Sequence, residues 1–136
     1  MPKRPDRVRG VDRSGAEIYF KKASEFFHSM QNALQAEEWN AAGLNAVHCA
    51  ISACDAVLVF YTEQRSAGSD HEAAANLLES LGNVSDAKQK ADTLRKILHE
   101  KHLIEYEDRS IPQRDAAELA KLTERFYRWA QGLLLS

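Results

Sequence analysis

Several signals are missing from this chain of 136 residues, and each absence narrows what it can be. Alternating apolar and polar runs are almost wanting, which argues against a sheet-based fold. Cysteine is scarce: Cys49 and Cys54 are the only two, five apart in sequence. On a helix that spacing turns them to different faces, which suits neither a disulfide nor a metal knuckle and predicts two buried thiols in a reducing cytoplasm. The N-terminus is charged rather than apolar, so no secretory signal is visible. A formal net charge of −2 supplies no global attraction for nucleic acid, so any such site has to be local. No internal repeat or low-complexity block is present. What is there, 44% hydrophobic and 28% charged residues, fits a single soluble domain with a real core.

The remaining elements are arranged around residues 40–62, NAAGLNAVHCAISACDAVLVFYT. This stretch is nearly all small or aliphatic, with four polar interruptions, Asn45, His48, Ser52 and Asp55, spaced three, four and three apart. At about 100° per residue they fall in one helical stripe roughly 80° wide. The expectation is a central helix about 33 Å long, at about 1.5 Å per residue. Its alanines permit close helix approach, while Val47, Ile51, Val57, Leu58 and Phe60 supply bulk. Asn, His and Asp near its middle would be costly in lipid, so no membrane span is expected.

Residues 1–13, with two prolines and five basic residues, read as a flexible basic tail ahead of a single bundle over 14–136. Ser14 to Glu17 has the form of a capping box, followed by Tyr19, Ala23, Phe26, Met30 and Leu34 at helical spacing. A second box, Ser69 to Glu72, opens a short helix that Gly82-Asn83 stops. Ser85 is positioned to cap a helix running toward Tyr106, and Ser110-Ile111-Pro112-Gln113 to start the last one. Four long helices, one short one and short connections predict an all-α fold, an antiparallel up-and-down four-helix bundle with one short additional helix.

Three constellations can carry chemistry. The seam Asn45, His48, Ser52 and Asp55 either hydrogen-bonds to neighbouring helices or a second subunit, as buried polar groups must, or lines a polar ligand site. The turn Arg65 to His71 leads into a helix N-terminus, where Arg65, Ser69 and His71 are candidates for holding a phosphate or other anion. The third is Arg95 to Tyr106. His99 and His102 are three apart there, but no third metal ligand is assured, and neither a metal nor a cofactor is expected.

The chain resembles the HEPN (higher eukaryotes and prokaryotes nucleotide-binding) superfamily over about residues 15–134. The likeness rests on Trp39-Asn40-Ala41-Ala42, the run Asn45 to Ala56, the Arg65-to-His71 turn and the segment ending Glu105-Tyr106-Glu107. It implies a four-helix bundle, usually paired as a homodimer, and in many members a metal-independent RNase of toxin–antitoxin or defence systems, sometimes beside a nucleotidyltransferase. Ribonuclease members carry Arg, four to six residues, then His, late in the bundle. Arg95 and His102 meet that count; a second register, preferred because Tyr106 ends the helix where the motif falls, sets Lys101 and Tyr106 in those places. Lys lacks the bidentate fork of Arg, and Tyr, with a pKa near 10, is a poor base at neutral pH. The resulting expectation is a cytoplasmic, dimeric binding module for a nucleotide, RNA or a protein partner such as a nucleotidyltransferase, with degenerate catalysis. The alternatives are a genuine endoribonuclease and an antitoxin-like interaction module.

Overall fold

The computed structural model describes residues 8–67, 71–106, 108 and 110–135, with Tyr106 described in its backbone alone. Among these residues the order is β1 (Val8–Gly10), α1 (Gly15–Gln35), α2 (Trp39–Thr62), β2 (Gln64–Ser66), α3 (His71–Glu79), α4 (Ala87–Tyr106) and α5 (Gln113–Leu134). The bundle is all-α as expected, with four long helices and one short one. Helix α2 is its axis and packs against each of the other four helices. Its length and composition would suffice to cross a membrane, yet 72% of its most apolar window is buried inside the bundle. Ala46, Val47, Ala50, Ala53, Val57 and Leu58 are enclosed there, the small residues letting neighbours close in on the bulky ones. Gly43 serves the same end. A Cβ on it would stand 2.9 Å from Cδ1 of Ile104 and 3.3 Å from Cδ1 of Ile111.

Both thiols are buried and unpaired with each other. Burial pushes Cys49 up to about 12. It also raises Cys54 well above its usual value, with the adjacent Asp55 charge adding to the effect.

Helix starts differ from the sequence reading in instructive ways. Ser14 sits in helical conformation without a side-chain cap. Asp12 instead accepts from the Ser14 N–H at 2.9 Å and from its hydroxyl at 2.8 Å. Helix α4 begins at Ala87, after Asp86 in the left-handed region, rather than beside Ser85. Helix α5 begins behind an extended Pro112, and Ser110 is drawn away as an acceptor for Nδ2 of Asn40 at 3.5 Å. Oδ1 of the same Asn40 accepts from the Ile111 N–H at 2.8 Å, so the start of α2 is tied to the start of α5. The Ser69 and Asp70 part of the second capping box lies outside the described residues.

The expected tail is also revised. Val8–Gly10 pairs antiparallel with Gln64–Ser66, in the register Val8 to Ser66, Arg9 to Arg65 and Gly10 to Gln64. The Val11 N–H adds a bond of 2.8 Å to the Glu63 carbonyl. Residues 1–7 of that segment lie outside the described residues.

Candidate functional site

The end of α2 is a sharp turn built without glycine. Glu63 takes a left-handed conformation at φ 55°, its N–H bonded to the Val59 carbonyl. The Thr62 hydroxyl donates to the Leu58 carbonyl at 2.7 Å and accepts from the Gln64 N–H at 3.2 Å. Left-handed backbone costs a non-glycine residue about 1–2 kcal/mol, and these bonds with the β1 pairing offset it. The turn redirects the chain so that Arg65 reaches back over α1. Its Nη1 donates to the Tyr19 hydroxyl at 3.0 Å, its Nε to the Ser66 carbonyl at 3.2 Å, and its guanidinium lies 5.2 Å from the Tyr19 ring centre. The Lys22 ammonium lies 5.6 Å from that same ring. Arg9 is the register partner of Arg65, and directly opposed strand residues project to one face. Two cations, Arg65 and Lys22, therefore flank Tyr19, with Arg9 opposite Arg65 on the ladder.

The polar seam runs to the same place. Asn45 bonds only within its own helix, donating to the Ala41 carbonyl at 2.9 Å. The His48 ring packs 5.3 Å from that of Phe26. Ser52 and Asp55 are 8% and 7% exposed, yet among the described residues neither side chain makes a hydrogen bond to the protein. The bonds to adjacent helices that the sequence suggested are thus not made by Ser52 or Asp55 among the described residues. Since no fully enclosed side-chain oxygen among the described residues lacks a partner, the two side chains keep a path to solvent. Burial raises the Asp55 carboxyl to about 6, against the opposing pull of Arg65 and Lys22. Arg65 and Lys22 thus act on Asp55 through space, so the lower end of the seam and the Arg65 turn influence one another although they are separate in the sequence.

A model of the family described as HEPN domain matches residues 16–133. The chain belongs to the HEPN domain family. No curated protein matches it.

The nuclease registers considered for this HEPN domain fall on α4. Arg95 and His102 share a face two turns apart, about 10.5 Å along the axis, but the arginine is turned to α3. Its Nε donates to Glu72 at 2.9 Å, its Nη1 to Glu79 at 3.1 Å and to Asp92 at 2.9 Å, and its Nη2 to Asn76 at 2.9 Å. His102 is exposed. In the other register Lys101 is paired with Glu105 at 2.9 Å, and the Tyr106 side chain lies outside the described residues. A cleft of about 550 Å³ between α4 and α5 is lined by Arg95, Lys96 and His99 but also by Glu100, Asp115 and Glu118, and the Arg95 charge there is already met by Glu72, Glu79 and Asp92. Among the described residues no group of three or more His, Cys, Asp or Glu side chains is placed to hold a metal ion.

Of the anion-site candidates, Arg65 lies against Tyr19, His71 begins α3 and Ser69 lies outside the described residues. The sequence reading missed Arg9, Tyr19 and Lys22. Tyr19 was read as core, and it is half-buried with its hydroxyl on Arg65. The available signal was Tyr19 and Lys22 three apart on one helical face.

Proposed function

We propose that this HEPN domain protein is a binding module for a nucleotide or RNA, which grips phosphate at the notch of Arg9, Lys22 and Arg65 and does not cleave. The observation that carries this reading is the register pairing of Arg9 with Arg65. Like charges set directly opposite on a ladder are destabilising, and an anion between them turns that cost into attraction. Arg65 and Lys22 about one ring, with Arg9 opposite Arg65 on the ladder, supply the kinds of cation by which proteins hold phosphate. Nuclease chemistry of the Arg-and-His kind needs an arginine aimed at the phosphate beside a group that moves a proton. Arg95 is spent on three carboxylates and an amide instead.

Fluorescence anisotropy with a mixed single-stranded RNA pool and with nucleotides tests the reading. Arg9→Ala and Arg65→Ala should each weaken binding and lower the salt slope by about 1, as expected for one lost phosphate contact. The RNA should remain intact in metal-free buffer. No binding of RNA or nucleotides at physiological salt would overturn the proposal, and metal-free cleavage abolished by His102→Ala would move the function to α4.

A further inference from the structure

We propose that the cavity between the start of α1 and the ends of α2 and α5 binds a small amphipathic carboxylate, an apolar body carrying one negative charge. The inference is independent of the phosphate-binding reading, because Arg9, Lys22 and Arg65 do not line this cavity.

The cavity has a volume of about 390 Å³, inside the range of about 300–1,000 Å³ in which proteins hold small molecules. Its apolar lining is Ala16, Phe20, Phe60, Leu134 and Leu135. Both rings are fixed by partners that do not line the cavity. Phe20 stacks on Tyr127 with ring centres 5.3 Å apart, and Phe60 packs edge to face with Tyr61 at 5.0 Å. Neither ring can swing aside without giving up that contact, so the walls are preformed. A preformed site spares its ligand the cost of ordering the protein. Leu135 is 74% exposed, an apolar side chain at the cavity that an apolar occupant would cover.

The charged lining decides the sign of the ligand. Arg13 and Lys21 stand against one acid, Glu17. The Arg13 guanidinium lies 5.8 Å from the Phe60 ring centre. Among the described residues neither the Arg13 nor the Lys21 side chain makes a hydrogen bond or an ion pair. Glu17 is one helical turn before Lys21, yet no ion pair joins them. A cationic ligand would meet two like charges, and a neutral one would leave both unanswered. A carboxylate can reach Arg13 while the body attached to it lies along Phe60, because the cation already stands over that wall. The volume suits a body of about ten carbons rather than a whole lipid.

Calorimetric titration of the full chain at about pH 8, where carboxylates are ionised, tests this with octanoate, naphthoate, octanol and octyltrimethylammonium, each below its aggregation limit. Octanoate should bind about fivefold to tenfold more tightly than octanol, and octyltrimethylammonium more weakly than either. Decanoate should bind about fourfold to tenfold more tightly than octanoate, as two further CH₂ groups are covered. Tighter binding of naphthoate than octanoate makes the natural body aromatic, and the reverse makes it alkyl; either supports the inference. Arg13→Gln and Lys21→Gln, both at exposed positions, should each weaken octanoate about threefold and leave octanol unchanged. Amide shifts of ¹⁵N-labelled protein on adding octanoate should cluster at residues 13–21, 60 and 134–135. No saturable binding of either carboxylate, equal affinity for octanoate and octanol, or shifts centred elsewhere overturns the inference. None of these outcomes bears on the phosphate-binding reading, which is tested at Arg9 and Arg65.

Discussion

Replacing Asp55 by Asn keeps the shape of the side chain and removes its charge, so it isolates the energetic consequence of burying a carboxylate without a hydrogen-bond donor. The folded chain holds the Asp55 proton more tightly than the unfolded chain does, because burial raises its pKa from 3.8 to about 6. The unfolded state therefore binds fewer protons between those values, and stability falls as pH rises through them. Only well below 3.8 is the carboxyl neutral in both states, where it costs nothing extra. Above pH 6 the full difference is felt: from 3.8 to about 6, at about 1.4 kcal/mol per pH unit, comes to about 3 kcal/mol. The attraction of Arg65 and Lys22 is already included in that figure. Urea unfolding of both proteins between about pH 4 and pH 8 should give curves that converge toward the acid end and separate toward neutrality, with Asp55→Asn more stable by about 1–3 kcal/mol at pH 7. Subtracting the two profiles cancels the other acids. Parallel profiles, or a variant less stable at neutral pH, would refute the reasoning and show that the carboxylate has a partner that steadies it.

Arg95→Ala should cost about 1–2 kcal/mol in urea unfolding, because three of its four bonds hold α3 to α4 in a partly solvated network; it should leave RNA affinity unchanged, and a loss of binding would make Arg95 part of the site. Cys49 and Cys54 should react with a disulfide reagent only as the protein unfolds, since buried, protonated thiols are poor nucleophiles; labelling of native protein at the rate of an unfolded peptide would contradict their burial. Light scattering at micromolar concentration should give twice 15.3 kDa, as a homodimer requires, and a clean monomer would overturn the pairing that the family resemblance implies.

Much of the architecture was legible because one segment left few choices. An alanine-rich helix that is apolar on most sides can satisfy its surface only by being surrounded, and α2 touches every other helix. The amphipathic faces of α1 and α5 followed from 3.6-residue periodicity. The stripe of Asn45, His48, Ser52 and Asp55 followed from the same arithmetic, although its partners did not. A hydrogen bond depends on distance and angle to groups from other segments, and periodicity along one helix carries neither. The sequence pattern of α4 marked Arg95 as a catalytic candidate; only tertiary packing set Glu72 and Glu79 of α3 against its guanidinium. β1 escaped detection because three residues are too few to display an alternation, and the turn before β2 is made at Glu63, where no glycine marks it. That turn decides the site. It brings Arg65 onto Tyr19 and opposite Arg9, although 55 positions of sequence lie between the two arginines. Local pattern dictated which surfaces had to be buried. Which charges would meet was settled by how the chain reversed at the end of α2, because electrostatic attraction and repulsion act across space rather than along the backbone.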